Sequence, residues 1–155
     1  MPATIETTDP VTIHERVEQV FAPSAGTIPE GLEDIALHCA QWRATTEVAY
    51  FWDVDRTAFA GRCADEAADL AESLRSLAPD VCFDLAEFMF LTPSGRAVWH
   101  VAVAFLFRGR RWIADMTADQ FGPEFSRLVF APRPSLPHYR RVPARRREPR
   151  SFISC

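Results

Sequence analysis

Three residues of this chain have the types and spacing for covalent chemistry. They are Cys63 in "GRCADEAADL", His100 in "AVWHVAVAF" and Asp115 in "WIADMT". Nucleophilic catalysis by cysteine needs a thiolate, a base and a group that orients the base. Cys63 stands where an alanine-rich, acidic helix pattern begins. A helix N-terminus favours an anion through its unpaired N–H groups and its dipole. Gly61, just upstream, would let the incoming backbone approach without a Cβ. His100 interrupts an apolar strand pattern. Period-two alternation puts Trp99, Val101 and Val103 on one face and His100, Ala102 and Ala104 on the other. The small neighbours of His100 would leave room for a substrate or for the Cys63 helix. Asp115 falls on the next strand, at a comparable distance from the Arg108–Gly109–Arg110 turn, and facing residues on such strands lie about 5 Å apart. A carboxylate there would hold the imidazole in one tautomer. Singly, each of the three is an ordinary structural residue. In the order helix cysteine, strand histidine, next-strand aspartate, they predict a catalytic triad.

The elements that must position them follow from the pattern. "DPVTIHERVEQVF" (9–21) predicts a short helix, with Asp9 as cap and Pro10 in its first position. "APSAGTIPEG" (22–31) reads as a turn-rich connection. Residues 32–51 space Ile35, Cys39, Trp42, Val48 and Phe51 near helical period, giving one or two helices, and 53–62 reads as a loop. The next helix carries a stripe of Leu70, Leu74 and Leu77, with Ala67 and Ala71 allowing close packing, and Pro79 ends it. Three strand patterns follow at 81–91, 97–107 and 111–117, separated by "TPSG" and "RG" turns. The order is an α+β meander. After Phe121 the chain is proline-rich and is expected to wrap over the body, ending in a loose "RRVPARRREPR" tail.

Composition bounds the rest. At 155 residues, 48% apolar and 25% charged, the chain has the length and apolar content of one globular domain, expected at 1–139, with an Arg-rich tail at 140–155. Residues 1–139 hold 11 Arg against 20 acidic residues, a balance of −9, which disfavours nucleic-acid binding by the body. Residues 140–155 hold 6 Arg against 1 Glu, a balance of +5, which suits an anionic partner. No stretch has the roughly 18 apolar residues of a membrane span. The acidic, polar start does not read as a signal peptide, so a cytoplasmic location is expected. The four cysteines contain no close pair, which argues against a disulfide framework and a structural zinc site. Cys39 and Cys82 read as inert interior thiols and Cys155 as an incidental free one. All 17 basic residues are arginine.

The segments "GRCADEAADLAESL", "WHVAVAF" and "WIADMTADQF" resemble the papain-like/transglutaminase-like cysteine enzyme superfamily over about residues 58–121. The resemblance implies a papain/transglutaminase-like core, with N-terminal helices and a catalytic helix packed on a small antiparallel sheet. It implies Cys63 as nucleophile, His100 as base and later acid, and Asp115 as the orienting carboxylate. The spacings, 37 residues from Cys63 to His100 and 15 on to Asp115, look most like compact papain-like deamidases of bacterial toxins and effectors. They are also similar to small transglutaminase-like enzymes of natural-product pathways.

By the same resemblance Gln41, upstream of the cysteine, is a candidate oxyanion-hole donor as well as an ordinary solvated helix residue. Gln120 draws notice within "TADQF", although closing the turn after the aspartate strand is the simpler role. Trp99 or Trp52 would border the site, and Asp53 and Asp55 read as loop carboxylates. The implied activity is a thiol hydrolase or deamidase acting on a carboxamide or peptide-like amide of a protein or small molecule, through an acyl-enzyme, with no metal and no cofactor. A transglutaminase-like acyltransferase is the alternative, and a non-catalytic interaction module on the same fold is the second. An effector role would add non-classical export.

Overall fold

The structure, a computed structural model, describes residues 10–50 and 61–142. Helix α1 (Pro10–Ala25) opens on the proline, which has no N–H to lose at a first helical position. The expected cap, Asp9, lies outside the described residues. The helix passes the expected stop at Phe21 and ends two residues after Pro23. A proline there removes an N–H bond in the final turn only, a small loss beside the burial of Val17 and Val20. Helix α2 (Glu33–Tyr50) is one continuous helix. Ile35, Ala36, Cys39, Ala40 and Ala44 form its buried stripe. Helix α3 (Cys63–Leu77) buries Ala67, Leu70, Ala71 and Leu74, while Leu77, expected on the stripe, is exposed where the helix ends.

Strands β1 (Phe83–Leu91), β2 (Ala97–Phe107) and β3 (Arg110–Asp115) form the antiparallel meander. The proline-rich segment does more than wrap. It supplies β4 (Val129–Pro132) against β3 and β5 (Tyr139–Arg141) against β1, giving the antiparallel order β4-β3-β2-β1-β5. Pro132 ends an edge strand, where a missing N–H costs no ladder bond. The sheet thus continues through Arg141, past the boundary expected at 139. Residues 143–155, most of the expected tail, lie outside the described residues.

The helices cover one face of the sheet. Their stripes join Phe83, Val101, Val103, Phe105, Trp112 and Phe130 in the main core. The opposite face carries a second apolar cluster of Ala86, Phe88, Phe90, Ala102, Ala104, Ile113, Ala118 and Tyr139, flanked by Phe121 and Phe125. The small side chains beside His100 therefore do not receive α3, one of the two occupants for which the alternation leaves room. They are roofed by the chain that follows β3. Among the described residues, no helix is long and apolar enough to cross a membrane. Cys82 is an exposed, disulfide-bonded residue ahead of β1 rather than an interior thiol. The reading of Cys155 lies outside the described residues.

Candidate active site

Cys63 is the first residue of α3, and Arg62 at the cap position makes no side-chain capping bond. The first α-helical bond near it runs from the Glu66 N–H to the Arg62 carbonyl, at 3.0 Å. The N–H groups of the opening turn thus have no helical acceptor and can meet an anion. Gly61 has φ +76°, and a Cβ there would meet nothing within 4 Å. Its role is the left-handed bend into the helix, not the close approach expected from sequence.

His100 is fully buried in β2. Phe90 and Phe121 meet its ring edge-on at 5.4 and 5.1 Å, and Tyr139 lies 6.2 Å away. Nε2 is 2.6 Å from Asp115 Oδ2. Asp115 is itself buried, and every bond it accepts holds its charge in place. Tyr139 donates its hydroxyl to Oδ2 at 2.5 Å, and Thr117 donates its N–H and hydroxyl to Oδ1 at 2.9 and 3.2 Å. Burial alone would raise the Asp115 pKa, but His100, Tyr139 and Thr117 hold it below the usual carboxylate value.

With Nε2 occupied, Nδ1 is the ring nitrogen left for Cys63. It is buried and has no hydrogen-bond partner among the described residues. The β2–β3 ladder stops at Val103–Ala114, so the beginning of β2 is uncovered along that edge. Cys63 reaches this edge, where the Val101 N–H and the His100 ring both stabilise its sulfur. Burial opposes the thiolate, as does the Asp115 charge, yet the ring and the Val101 N–H outweigh them and the Cys63 pKa is lowered. Burial likewise opposes the imidazolium, but Asp115 and the thiolate raise His100 to about 10. The charged forms of the two groups therefore favour one another, with the sulfur only half-buried.

The structure brings Cys63, His100 and Asp115 together. It places the three tentative residues differently. Gln41 is exposed on α2, in the wall of a cleft of about 370 Å³ between α2 and α3 that Trp42, Thr45, Glu66 and Asp69 also line. Glu66 lies one turn along α3 from Cys63. Trp99 packs, half-buried, against the same core cluster as Cys63. Gln120 closes the turn after Asp115 with its backbone N–H, bonded to the Thr117 carbonyl at 3.2 Å. Trp52, Asp53 and Asp55 lie outside the described residues.

Sequence reasoning missed Tyr139, Thr117 and the Val101 N–H. Only the Asp-x-Thr spacing, typical of an Asx-type turn, was available as a signal. Of the other thiols, Cys39 is in the core, where burial pushes it up to about 12. His38 next to it bonds Ser73 Oγ at 2.7 Å. Among the described residues, no group of three or more His, Cys, Asp or Glu side chains is arranged to hold a metal ion. No protein-family model, curated protein or solved structure matches the chain.

Proposed function

We propose that this chain is a thiol enzyme that processes a carboxamide or peptide-like amide through a Cys63 acyl-enzyme, with hydrolysis or deamidation as its outcome. The observation that carries the reading is the His100 ring, fixed at Nε2 by a buried carboxylate and left with Nδ1 for a half-buried, helix-initiating cysteine. In the first step the thiolate attacks the amide carbon and the carbonyl π pair moves onto oxygen. The Cys63 N–H and its neighbours in the first turn of α3 face that developing charge. The imidazolium gives its Nδ1 proton to the nitrogen, the C–N bond breaks, and ammonia or an amine leaves a thioester. Water then attacks the thioester with neutral His100 taking its proton. The acid is released, and the thiolate–imidazolium pair is restored.

A second reading, acyl transfer, draws on the cleft beside α3. Two carboxylates, Glu66 and Asp69, line it within two turns of the thiol. A cationic amine held there could replace water in resolving the thioester.

The test uses glutamine-containing peptides with wild-type and Cys63→Ala protein, reading ammonia release, with hydroxylamine present to trap the thioester. Iodoacetamide labelling of Cys63 across pH runs in parallel. Release by wild type alone, with Cys63 alkylated rapidly at pH 6–7, supports the reading. A Cys63 that alkylates with the pH dependence of an ordinary thiol overturns it, whatever the peptide.

A further inference from the structure

Arg43 heads the fully buried side chains of the described residues, at 0% exposure on α2. A buried guanidinium is costly unless each donor finds an acceptor. Nη1 and Nη2 fork the Asp119 carboxylate at 2.8 and 2.7 Å. Nη1 also donates to the Met116 carbonyl and, at 3.1 Å, to the Arg127 carbonyl. Nε donates to Glu47 Oε1 at 2.8 Å.

These acceptors fall into two halves. Glu47 is also bonded by Arg127 Nε at 2.6 Å and Arg16 at 3.3 Å, which ties α1 and α2 to the chain ahead of β4. Met116 and Asp119 instead bracket Thr117, the residue whose N–H and hydroxyl hold Asp115 Oδ1. A planar fork on Asp119 plus a bond to the Met116 carbonyl fixes both ends of that short turn against a rigid helix.

We propose that Arg43 is a positioning residue. Through Asp119 and the Met116 carbonyl it sets the turn that aims Asp115 at His100, and so sets the ionisation of Cys63. The proposal rests on the thiol-enzyme reading above and adds to it a residue 20 positions before the nucleophile that touches none of the three reacting groups.

The experiment compares Asp119→Asn, which removes one charge-assisted arm of the fork at constant size, with Glu47→Gln, which removes a charge from the other half of the network. Cys63 alkylation by iodoacetamide is followed across pH by peptide mass mapping, with far-UV circular dichroism and melting temperature for each protein. The expected result is a Cys63 profile whose midpoint lies about one pH unit higher in Asp119→Asn, as for a thiol whose pKa has risen by about one. Glu47→Gln lowers the melting temperature but keeps the wild-type profile. Arg43→Lys, which keeps the charge but cannot fork, moves the profile in the same direction as Asp119→Asn and answers the question if that variant does not fold. A folded Asp119→Asn or Arg43→Lys with the wild-type profile overturns the proposal, and so does an equal displacement in Glu47→Gln. A wild-type profile that is itself ordinary overturns the thiol-enzyme reading instead.

Discussion

His100 and Asp115 meet on a diagonal of the sheet, not as facing residues. Val103 pairs with Ala114, so extending the register sets Ala102 opposite Asp115 and leaves His100 two residues further along β2. Diagonal neighbours on one face are close enough for long side chains to touch. Here the contact is a 2.6 Å hydrogen bond. Tyr139 joins it from β5, three strand spacings from β3 and about 14 Å away in a flat sheet. Its bond to Asp115 requires the sheet to curl toward this face.

The stability that this contact supplies depends on pH in a defined direction. His100 is raised from 6.5 to about 10, so its contribution is fully present below pH 6.5 and is lost as pH rises through about 10. Asp115→Asn removes the charge responsible. Urea denaturation should show wild type ahead by about 3–5 kcal/mol at pH 6, as for breaking a buried pair. The gap should narrow steadily toward pH 10. A gap that does not change with pH would contradict the assignment.

His100→Ala should return Cys63 to the behaviour of a half-buried thiol. The ring supplies the positive charge beside the sulfur, and without it the Val101 N–H acts alone against burial. The midpoint of Cys63 alkylation should move up by at least about one pH unit, a one-unit rise in its pKa. Ammonia release from glutamine peptides should fall. Unchanged labelling would remove His100 from the site.

Tyr139→Phe should weaken the row without breaking it. The lost bond goes to a charged acceptor, worth about 1.5–3 kcal/mol. Asp115 should then titrate higher, so that its side-chain carboxyl carbon resonance moves to the protonated position at a higher pH than in wild type. A wild-type Asp115 titration in the variant would show the hydroxyl to be incidental.

Cys39 should stay silent in the folded protein. It is wholly buried on α2 and pushed up to about 12. In Cys63→Ala protein its alkylation should occur only through unfolding, with a rate that rises with denaturant in step with the loss of helical circular dichroism. Rapid labelling without denaturant would mean that α2 opens locally.

The sequence carried the local elements well because their signals are local. Strand β2 has the expected limits, 97–107, since "PSG" and "RG" punctuate a run rich in valine and aromatic residues. Helix α3 begins within a residue of its expected start. The misses came where distant residues decide. Val129–Pro132 and Tyr139–Arg141 are too short and proline-bounded to read as strands alone, and they form because β3 and β1 present open edges. Arg43 lies on a helix with no pattern to distinguish it from a solvated arginine. The two acceptors that bracket Thr117 are 73 and 76 residues away.

By itself, then, the sequence determined an α+β chain and an order of cysteine, histidine and aspartate on a helix and two successive strands. Residue type and periodicity depend on near neighbours, so both were readable. The tertiary structure decided how these residues meet. It turned His100 away from α3 into an aromatic pocket, brought Cys63 to the uncovered edge of β2, and set Asp115 under Tyr139 and Thr117. Whether a thiol ionises depends on charges and donors a few ångströms away in space. In this chain they come from positions 37 to 76 residues distant from Cys63.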